Sequence, residues 1–263
     1  MARALFITEE TLPKEYIAKS LEDKIFQFQT SLINGALFHL PEGPTLGGDN
    51  FIIYSDSLIT TVILNDFPEK RREAREVIKK VRSEFMRLIG MLKTPKITEH
   101  ELSEMLYAIE TKLAFELETQ SAVTVLKFPE RELLYFNGGE NFLFYYNSET
   151  KQLERDLHRG PKLGILSKFQ NKQKVLPRFT FNKKPTLPGD KIVICTDGVG
   201  DITPSKSFDR SYLEHVVQGC ITEPPEKIIQ YINAKNNENL SLYQLKSDQN
   251  VPDDYTIIVL EIR

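Results

Sequence analysis

Four aspartates stand where short apolar runs meet turns: Asp49, Asp66, Asp197 and Asp253. Asp49 follows Gly47-Gly48 and precedes Phe51–Ser55, and Asp66 comes after Leu58–Leu64 through Asn65. Asp197 ends the run Lys191–Thr196 and leads into a glycine turn at Gly198. Asp253, in Pro252-Asp253-Asp254-Tyr255-Thr256, precedes the last apolar segment. A carboxylate at the end of a buried strand can ligate a hard cation or act as an acid or base. Four that converge on one end repel one another unless cations or protons neutralise them. Mg²⁺ and Mn²⁺ prefer oxygen ligands, and two such ions about 3.5–4 Å apart can clamp a phosphoryl oxygen and activate a water for in-line attack. That chemistry asks for several carboxylates and no His or Cys. Taken singly, each Asp has an ordinary role as a turn residue whose short side chain hydrogen-bonds the backbone. Asp190, in Pro188-Gly189-Asp190, is read that way. The sequence around the other four decides between the two roles.

The elements that must position them follow from local pattern. β-branched and aromatic residues between turn residues predict strands at Lys24–Ser31, Phe51–Ser55, Leu58–Leu64, Ala122–Phe128, Leu133–Asn137, Phe142–Asn147, Arg178–Asn182, Lys191–Thr196 and Tyr255–Ile262. Short connections at Asp56-Ser57, Pro129–Glu132 and Gly138–Asn141 point to antiparallel neighbours. Val77, Val81, Phe85 and Leu88 return at helical period and predict a helix over about Glu69–Met91. A second helix opens with Thr98-Glu99-His100-Glu101, a capping-box pattern, and carries Leu102, Met105, Leu106, Ile109 and Leu113 on one face. Two more are expected at Ser211–Gln218, ended by Gly219, and at Pro225–Ala234, where the prolines suit a first turn. Each helix has one apolar face and must cover a sheet or another helix. The order of strands, two helices, strands, two helices and a final strand predicts an α+β fold. Two packed, mainly antiparallel sheets would have helices on the outside. No linker, repeat or low-complexity segment divides the chain. Residues 1–263 are expected to form a single domain, with 1–31 a strand-containing extension of it.

Composition sets the outer bounds. Of 263 residues, 40% are apolar and 27% charged, as in a soluble globular protein long enough to bury a large core. A formal charge of −3 with scattered basic residues points away from a nucleic-acid partner. No apolar run approaches the ~20 residues that cross a bilayer, so no membrane partner is expected. The opening Met-Ala-Arg-Ala-Leu-Phe-Ile-Thr-Glu-Glu turns acidic too soon for a secretion signal. Cys195 lies in an apolar strand pattern, and neither it nor Cys220 has metal-type spacing, which fits a reducing cytoplasm. His39, His100, His158 and His215 form no ligand pattern and are read as surface or core residues. Phe142, Phe144 and Tyr145-Tyr146 are read as sheet packing.

Several stretches, in order, resemble one family. Gly47-Gly48-Asp49-Asn50-Phe51, the strand ending in Asp66, Thr196-Asp197-Gly198-Val199 and Asp253-Asp254-Tyr255-Thr256 resemble the PPM-type metal-dependent serine/threonine phosphatases, and most of all their bacterial SpoIIE/RsbU-like branch. Asn137-Gly138-Gly139-Glu140-Asn141 is similar to the branch's Ala-Gly-His turn, with Glu140 in place of His. Gly160-Pro161-Lys162-Leu163-Gly164-Ile165 and Leu187-Pro188-Gly189-Asp190 are similar to two further segments of it. The likeness runs from about Leu32 to the C-terminus. It implies a four-layer αββα sandwich and two Mn²⁺ or Mg²⁺ ions. It also implies hydrolysis of phosphoserine or phosphothreonine on a protein, such as an anti-sigma-factor antagonist, by a water bridging the metals. By resemblance, Asp66 bridges both ions, the backbone carbonyl of Phe67 contributes to one, Asp197 and Asp253 hold the other, and Asp49 acts directly or through a water. Control is expected from a separate regulatory protein or from a homodimer. The chain departs from the family at Asn65-Asp66-Phe67-Pro68-Glu69, where glycines usually follow the bridging Asp. Two other functions stay open on the sequence. One is a catalytically weakened or inactive member of the same fold, acting as a regulatory or protein-binding module. The other is a two-metal enzyme for small phosphate esters.

Overall fold

The structure is a computed structural model that describes residues 4–8, 10–42, 48–67, 72–92, 98–113, 119–127, 130–155, 159–163, 179–206, 209–245 and 249–263. Thirteen strands occur among these residues: β1 (Leu5–Thr8), β2 (Phe26–Gln29), β3 (Ile33–Leu40), β4 (Asn50–Ser55), β5 (Ile59–Asp66), β6 (Gln120–Lys127), β7 (Glu132–Gly138), β8 (Phe142–Asn147), β9 (Gln152–Glu154), β10 (Arg159–Gly160), β11 (Asn182–Pro185), β12 (Lys191–Cys195) and β13 (Tyr255–Ile262). Five α-helices accompany them: α1 (Arg72–Leu92), α2 (Glu99–Leu113), α3 (Asp197–Asp201), α4 (Arg210–Cys220) and α5 (Pro225–Leu240). One sheet runs β1-β4-β5-β6-β7-β10, with β11 also on β7; the other runs β2-β3-β13-β12-β8-β9. Apart from the short parallel pair β7–β10, the strand pairs are antiparallel.

The layers are visible in how side chains alternate. Ile192 and Ile194 point into the core between the sheets, with Leu37, Phe51, Ile53, Val62, Leu64 and Ile258. Val193 and Cys195 point the other way, onto Leu213, Val217, Ile228 and Ile232 of α4 and α5. Ile52, Ile63 and Val123 likewise face Phe85 and Leu88 of α1 and Leu102 and Leu106 of α2. Strands covered on both faces read as unbroken apolar runs, which is why β4, β5, β6, β12 and β13 were legible. The expected αββα sandwich is the observed architecture.

Two features bring the chemistry to one end. Because the strands are antiparallel, the start of β4, end of β5, start of β6 and end of β7 share an end of the first sheet. The end of β3, start of β13, end of β12 and start of β8 share an end of the second. The chain crosses between the sheets there after β3 and between β7 and β8.

Several expectations need correction. Gly138–Asn141 does not join antiparallel neighbours; it carries the chain from β7 in one sheet to β8 in the other. The strand expected at Arg178–Asn182 lies at Asn182–Pro185 instead, while Phe179 and Phe181 fill the outer core beside Phe136 and Arg178 is outside the described residues. β3, the central partner of β13, was not foreseen, because Asn34-Gly35 interrupts its apolar run with residues typical of turns. The strand at Lys24–Ser31 is confined to Phe26–Gln29. Gly219 does not end its helix, which runs to Cys220, and α5 extends past Ala234 to Leu240. The glycine turn expected at Asp197-Gly198 is the short helix α3.

The first helix begins at Arg72 among the described residues; its expected start at Glu69 and the side chain of Val77 lie outside them, as do Gly47, Pro68, His158, Gly164 and Ile165 and the side chain of Leu113. Val81, Phe85 and Leu88 are buried as expected. The capping box of α2 is present: Glu101 N–H donates to Thr98 Oγ1 at 3.2 Å and Thr98 N–H to Glu101 Oε2 at 2.7 Å.

Candidate metal centre

Asp66 is the last residue of β5, and Gln120, the first of β6, lies directly opposite it in the ladder. The Gln120 side-chain nitrogen donates to Asp66 Oδ2 at 2.6 Å and to Asp197 Oδ2 at 2.6 Å. Asp197 opens α3, just after β12 in the other sheet. Asp197 and Asp253 both lie within electrostatic reach of Asp66 and of Asp201. The Asp66 carboxyl sits far above the usual carboxylate range. Burial is the main cause, followed by the charges of Asp197 and Asp253. Asp201, at the end of α3, is pushed up to about 6 by burial and then by Asp197, Asp253 and Glu140. The elevation of Asp66 and Asp201 marks a cluster that holds too much negative charge for its surroundings.

Asp49 is fastened from the second sheet. Its Oδ2 accepts from the Thr196 hydroxyl at 2.9 Å and the Thr256 hydroxyl at 2.6 Å, while Oδ1 is buried without a hydrogen-bond partner. Burial and the charges of Asp66 and Asp254 raise its carboxyl well above normal, against those two hydroxyls. Thr256 directs its one hydroxyl hydrogen at Asp49, so the hydrogen it shares with His39 Nδ1 at 2.9 Å must come from the imidazole. His39 Nε2 is then a bare, buried acceptor with no partner, and burial lowers this imidazole to about 4, opposed by Asp254. His39 is therefore a core histidine behind Asp49.

Asp253 caps its own turn, with Oδ1 accepting the Asp254 N–H at 2.8 Å. The Asp254 carboxylate holds backbone, accepting the N–H of Glu42 at 2.7 Å and that of Gly48. It thus pins both ends of the crossing from β3 to β4. Phe67 puts its ring in the core under α1 and α2. Its N–H donates to the Gly48 carbonyl at 3.3 Å, and its own carbonyl passes so close to Gly48 that a Cβ there would lie 2.2 Å from the oxygen. Only glycine fits at that crossing.

The structure thus brings Asp66, Asp197 and Asp253 together, sets Asp49 behind them and adds Asp201. Gln120, Thr196, Thr256 and His39 were not singled out from sequence for this site. Gln120 faces Asp66 through register alone, and α1 and α2 separate the two strands in the chain. As donors, these carboxylates suit hard divalent cations: all are oxygens, and the orphaned Asp49 Oδ1 is an acceptor awaiting a partner. Among the described residues, no three His, Cys, Asp or Glu side chains are already closed around one point. No described helix is long and apolar enough to cross a membrane.

Comparison with known proteins agrees with the architecture. RsbX, solved in complex with magnesium, superposes with a TM-score of 0.61 at 14% identity, over 91% of this chain and 100% of that one. The PP2C phosphatase domain of the cell-fate determinant SpoIIE from Bacillus subtilis, with a fragment of its regulatory domain, gives 0.64 at 15% identity, over 91% of this chain and 64% of that one. The SiaA PP2C domain of Pseudomonas aeruginosa gives 0.66 at 13% identity, over 87% and 86%. At such identities the likeness shows the fold. No curated protein matches the chain in sequence. The family described as Stage II sporulation protein E (SpoIIE) matches residues 81–263, which include β6 to β13 and both Asp197 and Asp253. The chain belongs to the SpoIIE family and has the PPM phosphatase fold.

Proposed function

We propose that the chain is a metal-dependent phosphatase that removes phosphate from phosphoserine or phosphothreonine on a partner protein, with residues 1–263 acting as one domain. The observation that carries this is the oxygen-only cluster of Asp66, Asp197 and Asp253, gathered from both sheets at the end where the chain crosses between them. In this proposal Asp66, Asp197, Asp253 and the Phe67 carbonyl would hold the two ions, and Asp49 would support them directly or through a water. Bound Mn²⁺ or Mg²⁺ would supply positive charge to the phosphoryl oxygens and a more acidic water.

The chain's own residues do the rest. Thr196 and Thr256 fix Asp49, with His39 holding Thr256, so that a buried carboxylate keeps one orientation. Asp254 fixes the crossing that carries Asp49. Asp201, raised to about 6, sits beside the cluster as a carboxyl able to hold a proton near neutral pH. Support for the single domain comes from the N-terminal strands, since β1 joins one sheet and β2 the other.

The test is release of phosphate from phosphopeptides with Mn²⁺ or Mg²⁺, which we expect to fall at least about 100-fold in Asp66→Ala and Asp197→Ala. Activity that persists in excess chelator would overturn the proposal. A wild-type protein that binds partners but neither ion would make it a non-catalytic module. A preference for small esters over phosphopeptides would move the substrate class.

A further inference from the structure

We infer that Gln120 is a positioning residue for the metal centre: its amide sets the separation of Asp66 and Asp197 across the gap between the two sheets. This rests on the phosphatase proposal for what the carboxylates do, and goes beyond it in naming what holds them in place.

The amide's orientation is fixed by its partners. Its oxygen accepts the backbone N–H of Glu140, a group that can only donate, so its NH₂ must face the carboxylates. That NH₂ has two hydrogens, and there are two acceptors at 2.6 Å, one on each Asp. Its donors and its oxygen are therefore all engaged, and rotation of the amide would break all three contacts. Gln120 is 7% exposed, so water does not readily replace it.

The fold makes room for this pose. Gly139 lies at φ +92°, and a Cβ there would come 2.8 Å from Gln120 Cβ and 3.0 Å from both Cγ and Oε1. The turn between β7 and β8 is thus shaped around this one side chain, with Gly139 giving it space and Glu140 giving it a donor. The residue type fits as well. A lysine here would cancel charge that a cation needs, and a carboxylate would add repulsion. An amide holds two carboxylates without neutralising either, which leaves their charge for the ions.

The experiment is Mn²⁺ titration by calorimetry on the folded full-length chain, comparing wild type, Gln120→Met, Gly139→Ala and the double variant. Methionine keeps the length and removes the amide. We expect Mn²⁺ binding 10–100-fold weaker in Gln120→Met, as for other groups that orient metal ligands. Gly139→Ala, which crowds the amide out, should weaken it in the same direction, and the double variant should be little worse than Gln120→Met alone. The Mn²⁺ concentration for half-maximal phosphatase rate should rise with the dissociation constant, while the rate at saturating Mn²⁺ changes less. Gln120→Met that is folded and binds Mn²⁺ within about twofold of wild type, or more tightly, overturns the inference and leaves the phosphatase proposal standing. A wild-type chain that binds no Mn²⁺ overturns both. If Gly139→Ala does not fold, Gln120→Met decides alone.

Discussion

A carboxylate in a crowded, half-dry cluster changes what pH does to the chain. Asp201 titrates near 6 in the folded protein and near 3.8 when free of its neighbours. Between these values the folded state holds the extra proton, so this residue favours folding at acid pH, and the benefit is lost as pH rises through 6. Asp201→Asn carries no such penalty. Its melting temperature minus that of wild type, in chelator, should grow from pH 4 to pH 6 and level off above. Because Asp201 is partly solvated, the gain should be a few degrees at most. A constant difference across that range would show that Asp201 does not feel its neighbours. His39 works in the opposite sense, its neutral ring supporting the fold above pH 6.5 and losing that support toward 4. Comparing two variants at each pH cancels it. At this scale the four aspartates were legible because each sits at a strand end beside a turn. Gln120, Thr196 and Thr256 were not, since their roles depend on which distant residue register places opposite them.

At the scale of elements, α3 is only five residues long and cannot hold itself in place. α5 braces it from behind with a row of buried asparagines. Asn236 Nδ2 donates to the Val199 carbonyl at 3.0 Å and lies 3.1 Å from the Tyr255 hydroxyl, which donates to Asn233 at 3.0 Å. Asn239 lies 2.7 Å from the Tyr212 hydroxyl, and the Tyr243 hydroxyl donates to the Asp201 carbonyl. These asparagines also explain why α5 was expected to stop at Ala234: polar residues on the inward face interrupt the apolar period there. Asn236→Leu keeps the branched shape and removes the donor. It should destabilise the chain by about 1–3 kcal/mol in urea denaturation, by leaving the Val199 carbonyl without its buried donor and the Tyr255 hydroxyl with Asn233 alone. A loss below about 0.5 kcal/mol would mean that water or a neighbour takes over. α1 and α2, by contrast, carry uninterrupted apolar stripes and an intact capping box, and their sequence announced them.

For the whole molecule, the decisive circumstance is that the candidate ligands come from both sheets. Anything that binds the folded cluster but not the unfolded chain should stabilise the entire sandwich. At an Mn²⁺ concentration 100 times its dissociation constant we expect about 2.7 kcal/mol, lost on chelation. Unfolding followed by near-ultraviolet circular dichroism and by tyrosine fluorescence should give one coincident transition with or without metal. Two separate transitions would divide the chain and contradict the single-domain proposal. The sandwich itself could be anticipated because strands buried on both faces and one-faced helices leave few other ways to pack. Strand order could not, and it was strand order that showed Gly138–Asn141 to be a bridge between sheets.

The pinning of Asp49 by Thr256 joins residues 207 positions apart in the chain, and Gly48 is tied to Asp254 over 206. Contacts of that span carry a high loop-closure cost and are formed late when a chain folds. β13, which delivers Thr256, lies between β3 and β12. The arrangement around Asp49 is therefore incomplete until β13 has joined its sheet. A partly refolded chain without β13 in its sheet has the acidic residues but not the arrangement, so on the proposed function metal binding should appear only once β13 has docked.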